Sequence, residues 1–105
     1  MSEQQRIPFS QDLQDGELQG FEVDNVHLLI SRVEGQYFVT SNLCSHARVL
    51  LSKGKLRGKY ITCPLHGARF DVTTGQCLSG PTQQAIKTYA TETVDGQLTI
   101  LLPIG

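Results

Sequence analysis

The chain has 105 residues, which is enough for one domain, 1–105, because a chain of this length buries about two thirds of the surface that it exposes when unfolded. Hydrophobic residues make up 39% and charged residues 18%, which excludes a disordered, collagen-like or coiled-coil chain. The net charge of −1 lacks the basic excess typical of nucleic-acid or anionic-membrane binders, so we expect neither partner.

The N-terminal sequence, MSEQQRIPF, has no apolar region of the kind found in signal peptides. The longest apolar runs are three residues long, far short of a membrane span, so we expect a cytoplasmic protein. Cytoplasmic thiols remain reduced, and the three cysteines Cys44, Cys63 and Cys77 are an odd number. Metal binding or burial is therefore favoured over a disulfide framework.

Short β-type segments separated by turn residues predict an all-β fold, and no stretch has a convincing helical period. Residues 6–9 and 21–23 are predicted edge strands, the first because Pro8 cannot donate a hydrogen bond to a neighbouring strand. Residues 26–33 and 36–40 are predicted to form a hairpin around a two-residue turn.

Residues 59–62 are predicted to form a short strand, and residues 85–94 and 97–102 a second hairpin. Its turn, Asp95-Gly96, suits the positive φ angles that tight hairpins require. Between the two hairpins, segment 41–84 has too many turn residues for a plain sheet, and long irregular segments in compact domains are usually functional.

Segment 41–84 contains two short motifs that each pair a thiol with an imidazole. Cys44 and His46 are one residue apart, and Cys63 and His66 are two residues apart. All four are good ligands for soft or borderline metals. Zinc fingers order their ligands Cys, Cys, His, His, so the order here disfavours zinc without excluding it.

The pattern Cys-x-His-x16-Cys-x2-His resembles that of the Rieske iron–sulfur proteins. The resemblance runs in order through residues 37–102 and includes the flanking segments LSKG at 51–54, CPLHG at 63–67, Phe70-Asp71, Thr74-Gly75 and Gly80-Pro81. It implies a Rieske fold, in which an antiparallel β base carries an inserted cluster-binding subdomain of two loops, here approximately residues 41–80.

The resemblance further implies one 2Fe-2S cluster per chain, with Cys44 and Cys63 on the inner iron and His46 and His66 on the outer iron. Neutral imidazoles bring less negative charge than thiolates, so such a cluster is reduced more easily than an all-cysteine cluster. Each ligating imidazole has a second nitrogen that can carry a proton, which makes the potential depend on pH.

Departures from the family narrow the subtype. Respiratory Rieske proteins have a disulfide between the two loops, but the corresponding positions here are Val49 and Leu65. Two hydroxyl donors to sulfur are also replaced, by Ala68 and Phe70. The chain therefore looks like a Rieske-type ferredoxin of the systems that supply electrons to aromatic-ring-hydroxylating oxygenases.

The expected partners are an NAD(P)H-dependent flavoprotein reductase and a terminal oxygenase, with the chain as a monomeric carrier between them. With His46 and His66 committed to the cluster, only His27 remains, too few histidines for the mononuclear iron of an oxygenase. No Gly-x-Gly-x-x-Gly motif is present for a flavin or nicotinamide. We therefore expect an electron carrier and not an enzyme.

Two alternatives remain open from the sequence: a small Rieske subunit of another redox enzyme, such as a nitrite reductase or haem monooxygenase system, and a zinc-bearing interaction module. Cys77 lies outside both motifs and is interpreted as structural, and His27 as a surface or structural histidine. No acidic residue lies between Glu34 and Asp71, a stretch that contains six of the nine cations, Arg48, Lys53, Lys55, Arg57, Lys59 and Arg69. This stretch is a candidate docking face.

Overall fold

The computed structural model describes residues 4–9, 13–44, 49–65, 67–80, 84–95 and 97–103. These residues form eleven β-strands and one short 3-10 turn, and no α-helix occurs among them. The prediction of an all-β fold is confirmed. In the same part of the chain, no helix has the length and apolar character needed to cross a membrane.

The first sheet is antiparallel and has the strand order β1-β11-β10. Its strands are β1 (Gln4–Phe9), β10 (Thr91–Val94) and β11 (Gln97–Pro103). The predicted edge strand 6–9 lies within β1, which is at the edge of the sheet. Strands β10 and β11 form a hairpin in which Asp95 has a φ of 51°, as the Asp-Gly pair predicts.

The second sheet is also antiparallel and has the order β2-β3-β4-β9. Its strands are β2 (Leu18–Val23), β3 (Val26–Val33), β4 (Gln36–Ser41) and β9 (Thr88–Tyr89). The predicted hairpin of β3 and β4 is confirmed, with φ of 50° at Glu34 and 79° at Gly35 in its turn. Strand β2 is an edge strand, as predicted for residues 21–23.

The predicted strand 85–94 is wrong in its first half. Residues 88–89 form β9 and pair with β4, whereas residues 91–94 form β10 and pair with β11. The chain changes sheets at Ala90, whose carbonyl accepts a hydrogen bond from Leu101 N–H at 2.9 Å. No glycine or proline marks this switch, because the neighbouring sheets determine where each half of the segment pairs.

The third sheet is inserted in the sequence between β4 and β9. It has the order β5-β6-β7-β8, with β5 (Lys55–Arg57), β6 (Tyr60–Thr62), β7 (Arg69–Asp71) and β8 (Cys77–Ser79). Segment 41–84 is thus less irregular than expected, because its strands are only three residues long and escape a period-two pattern. Its assignment as a cluster-binding subdomain over about 41–80 stays a prediction.

Strand β3 separates two apolar cores because both of its faces are buried. Leu28 and Ile30 pack with Val39, Ile100 and Leu102 in one core. The side chain between them points to the opposite face, where it joins the second core, which comprises Leu29, Cys44, Leu51, Ile61, Cys63, Ala68, Phe70, Val72 and Ile86. The second core therefore connects the β base to both cysteine-containing loops.

Candidate metal centre

The first cysteine-containing loop, residues 42–51, is closed by backbone hydrogen bonds at its base. The Cys44 N–H donates to Val49 O at 3.0 Å, and Leu43 forms an isolated antiparallel bridge with Leu50. Cys44 is buried, with 5% of its surface exposed. Residues 45–48, which include the predicted ligand His46 and the cation Arg48, lie outside the described residues.

Asn42 fixes the two ends of this loop to each other and to the β base. Its N–H donates to His27 O at 2.9 Å, and its carbonyl accepts Leu51 N–H at 2.7 Å. Its side chain accepts from the Ser52 N–H at 2.7 Å and donates to Ser52 Oγ at 3.1 Å. A Cβ at Gly20 would lie 2.8 Å from Ser52 Oγ, so glycine in β2 leaves room for this pair.

The second loop, residues 63–68, follows β6 and repeats the geometry of the first. The Cys63 N–H donates to Ala68 O at 2.7 Å, and Gly67, with a φ of 74°, returns a bond to Cys63 O at 3.1 Å. In both loops, the cysteine N–H thus bonds the carbonyl five residues later. Cys63 is 1% exposed. The predicted ligand His66 is outside the described residues.

Glycines permit close backbone approach on both sides of the second loop. A Cβ at Gly54, just after the first loop, would overlap the carbonyl oxygen of Thr62, just before Cys63. On the other side of the second loop, a Cβ at Gly80 would lie 2.6 Å from Ala68 Cα. Larger residues at either position would push the neighbouring backbone away.

The donors within the described residues fit an iron–sulfur cluster. Cys44 and Cys63 are buried in the same apolar core, and all three cysteines of the chain are described without a disulfide between any of them. Buried thiolate ligands on two matched loops suit iron–sulfur chemistry. No cluster of three or more metal-ligating side chains occurs in the described ranges, from which His46 and His66 are missing.

The positions at which this chain departs from the respiratory Rieske pattern lie at the second core and the second loop. Ala68 and Phe70 are fully buried in the core that contains both cysteines. Val49 packs against the same core, whereas Leu65 is 54% exposed at the second loop. Neither Ala68 nor Phe70 has a hydroxyl, so neither can donate a hydrogen bond to sulfur.

Asp71 is a buried carboxylate at the end of β7, next to the second core. Its Oδ1 accepts from Thr73 N at 2.8 Å and from Thr73 Oγ1 at 2.6 Å, and Lys59 Nζ lies 3.4 Å from Oδ2. Burial acts to raise the pKa of Asp71, but the Thr73 bonds and the Lys59 charge more than offset it, so the pKa is lowered. Neither this network nor the role of Asn42 is predicted from the sequence.

Two other side chains have surroundings that suit structural roles. Cys77 is half-buried in β8, packs against the second core, and its Sγ donates to Ser79 O at 3.6 Å. His27 is half-buried in β3, where it pairs with Glu22 across the ladder. The interpretation of both as structural residues stays a prediction.

The sequence matches the family model described as "Rieske [2Fe-2S] domain" over residues 3–90, most of the chain. The chain belongs to the Rieske family. The resemblance inferred from the two ligand motifs is confirmed, and the cofactor of this Rieske chain is a 2Fe-2S cluster. Membership of this family also removes the zinc-bearing interaction module as an interpretation.

Relatives of the Rieske chain include the ferredoxin component of the naphthalene 1,2-dioxygenase system of Pseudomonas putida. The two are 45% identical over 78 residues, which are 74% of this chain and 75% of the relative. The corresponding component from Pseudomonas aeruginosa is 42% identical over 86 residues, 82% of each chain. The Rieske chain is accordingly an electron-carrying ferredoxin and not itself a catalyst.

Solved structures lead to the same conclusion. The ferredoxin of Sphingomonas yanoikuyae B1 matches with a TM-score of 0.82 and 35% identity, over 93% of this chain and 97% of that one. A chain in the complex of reduced oxygenase and oxidized ferredoxin in carbazole 1,9a-dioxygenase matches with a TM-score of 0.81 and 30% identity, over 91% and 99% of the two chains.

Proposed function

We propose that this Rieske ferredoxin carries single electrons from an NAD(P)H-dependent flavoprotein reductase to the terminal oxygenase of an aromatic-ring-hydroxylating dioxygenase system. The observation that carries the proposal is the 45% identity to a naphthalene 1,2-dioxygenase ferredoxin component, which extends through both cysteine-containing loops of the matched domain. The solved oxygenase–ferredoxin complex supports an oxygenase as the electron acceptor.

The electron balance supports a flavin upstream of this chain. NAD(P)H releases two electrons as a hydride, whereas a Rieske cluster accepts one electron at a time. The reductase flavin divides the pair, and the chain is reduced and reoxidised once for each electron delivered. A bound cluster would supply the redox change, and the apolar core around Cys44 and Cys63 would exclude water from these two proposed ligands.

We propose Cys44, His46, Cys63 and His66 as the ligands. The matched hydrogen-bonded loops and the shared burial of the two cysteines support the thiolate half of this set. Replacing any one of the four with Ala should abolish the visible spectrum and reduce bound iron from about two atoms per chain. Cys77→Ser is the matched control, and equal loss of iron in that variant would refute the assignment.

The same proposal includes a cytoplasmic monomer. The absence of a disulfide among the three described cysteines is consistent with a reducing compartment. Sedimentation equilibrium of the iron-loaded protein tests the oligomeric state, and a mass near 11.6 kDa is expected. A stable dimer would refute the monomer without affecting the ligand assignment.

Reconstitution tests the proposed function. The reductase and terminal oxygenase of the Pseudomonas putida naphthalene system are mixed with NADH, naphthalene and this chain in place of their own ferredoxin. We expect product formation that requires the chain and disappears in the Cys63→Ala variant. If the chain retains its cluster and is reduced chemically, yet reduces no ring-hydroxylating oxygenase tested, it serves a different redox enzyme.

A further inference from the structure

The outward face of the third sheet is strongly basic. In its ladder, Lys55 is paired with Thr62 and Thr62 with Arg69, so these three side chains project from one face of the sheet. The alternate row of Leu56, Ile61 and Phe70 projects from the other face into the second core. Period-two alternation therefore separates cations from apolar residues.

Most cations of this face make no ion pair with the described residues. The basic face consists of the five exposed side chains Lys53, Lys55, Arg57, Lys59 and Arg69. Among the described residues, the one ion pair that any of them makes is that of Lys59 with Asp71. Asp71 is 6% exposed and is occupied by that pair, so the exposed charge of the face is positive.

The basic face extends to the second loop. A groove lined by Lys53, Lys55 and Arg57 is also lined by Cys63 and Pro64. Leu65, the next residue, is the more exposed of the two large apolar side chains found at the described surface. A protein bound here would therefore lie beside one proposed cluster ligand and could cover an apolar side chain at the centre of its contact.

Protection of a sheet edge explains only part of this charge. Strand β5 is an edge strand, and cations on an edge strand prevent other chains from pairing with it. Arg69, however, lies on β7, which is paired on both sides by β6 and β8 and has no open edge. Its guanidinium stacks over Tyr60 with 5.3 Å between Cζ and the ring centroid, which holds it on the outward face.

We propose that the basic face is the docking surface for an acidic surface of the terminal oxygenase. This inference rests on the proposed function, because it takes the oxygenase as the electron acceptor. Unpaired cations beside a redox site accelerate encounter with a partner of opposite charge and orient it, more than they tighten the complex. The proposal therefore predicts a salt-dependent rate of electron transfer.

The test compares charge reversals on and off the face. Lys55→Glu combined with Arg69→Glu removes two cations of the basic face. Lys87→Glu is the matched control for the Arg69 change, because Lys87 is exposed, also lies over a tyrosine ring at 5.2 Å, and belongs to the connection into β9 of the second sheet. Each variant must retain the visible spectrum and circular dichroism of the native protein.

Dithionite-reduced protein is mixed with the oxidised terminal oxygenase of the Pseudomonas putida naphthalene system in a stopped-flow instrument. At low ionic strength, the double variant should react about tenfold more slowly than the native protein, and the Lys87→Glu variant within about twofold of it. Both differences should shrink near 0.5 M salt, where charges are screened within about 4 Å. A rate insensitive to salt, or equal slowing in the control, would overturn the proposal.

A binding measurement separates this proposal from the proposed function. Calorimetry of the two oxidised proteins requires no electron transfer, and affinity should fall in the double variant more than in Lys87→Glu. Binding that depends on the basic face without electron transfer would refute the proposed function and retain the docking surface. If the native protein transfers electrons and the double variant binds and reacts equally well, the docking surface is refuted and the proposed function is retained. Slowing confined to reduction by the reductase would have the same meaning.

Discussion

Asn42 and Ser52 join the two ends of the first loop by a reciprocal pair of hydrogen bonds, with Asn42 Oδ1 accepting at 2.7 Å and Asn42 Nδ2 donating at 3.1 Å. Asn42 is 3% exposed, and its own backbone groups also bond the β base and Leu51. The loop that carries Cys44 is therefore held by one buried amide in addition to the backbone bonds at its base. Val49 occupies the position of a disulfide cysteine in respiratory Rieske proteins. Because no disulfide can form there, noncovalent bonds hold this loop closed.

Asn42→Ala should lower the free energy of unfolding by about 2 kcal/mol, because it removes both side-chain bonds to Ser52 and leaves the partly buried Ser52 N–H without its acceptor. Ser52→Ala removes only the bond to Nδ2 and should cost about 1 kcal/mol. Urea unfolding followed by circular dichroism measures both, and the decay of the visible spectrum in urea should follow the same order. A larger effect from Ser52→Ala would show that the amide oxygen does not hold the loop.

Gly54→Ala should destabilise the protein by more than about 2 kcal/mol, because the added methyl group would overlap the Thr62 carbonyl and separate the two loops. Gly58→Ala is the comparison, since Gly58 has a φ of 59° and open space around it. Its cost should be only that of left-handed backbone, about 1 kcal/mol. Only the Gly54 variant should alter the visible spectrum. The reverse order of stabilities would refute steric contact as the reason for glycine at residue 54.

The reduction potential should lie near the low end of the Rieske range, about −150 mV, because two hydrogen bonds to sulfur that would raise it are missing. Such bonds stabilise the reduced cluster. The buried side chains of Ala68 and Phe70 provide no such bonds. Protein-film voltammetry of the native protein, Ala68→Ser and Phe70→Tyr tests this, with higher potentials expected in the variants. A native value above about +100 mV would show that other groups set the potential.

Asp71→Asn should destabilise the fold at pH 7 by roughly 1 kcal/mol, because it removes a negative charge. That charge pairs with Lys59, and it also strengthens the hydrogen bonds from Thr73. Since the pKa of folded Asp71 lies below its ordinary value of 3.8, the ionised carboxylate stabilises the fold above that value. The advantage disappears as the pH falls through the folded pKa. Thermal unfolding at pH values from 7 to 3 should show the two proteins converging in acid. A constant difference would attribute the effect to packing.

The sequence predicts most strands of the β base because their signals are local. Glu34-Gly35 and Asp95 mark hairpins whose turns need positive φ angles, and the structure has them. A third such hairpin at Asp24-Asn25, with φ of 49° and 67°, was not predicted, although both residue types tolerate this conformation. The division of residues 85–94 at Ala90 depends on neighbouring sheets and leaves no local signal.

In the candidate site, too, some features have a local sequence signal and others do not. The proposed ligands Cys44, His46, Cys63 and His66 are predicted from the resemblance of their order and spacing to those of Rieske proteins. The residues that hold the loops are not evident from spacing. Asn42 contacts a serine ten residues later, and Gly54 contacts a carbonyl eight residues later, both across a fold that the sequence pattern does not specify.

The burial of β3 on both faces has a consequence for how the molecule unfolds. Leu29 lies in the core beneath the loops, and its neighbours Leu28 and Ile30 lie in the core shared with β11. Opening either core exposes apolar surface of the same strand, so the loss of one weakens the other. We therefore expect the β base and the cysteine-containing loops to unfold as a single cooperative unit, and loss of the cluster to reduce the protection of backbone amides in β3 from hydrogen exchange.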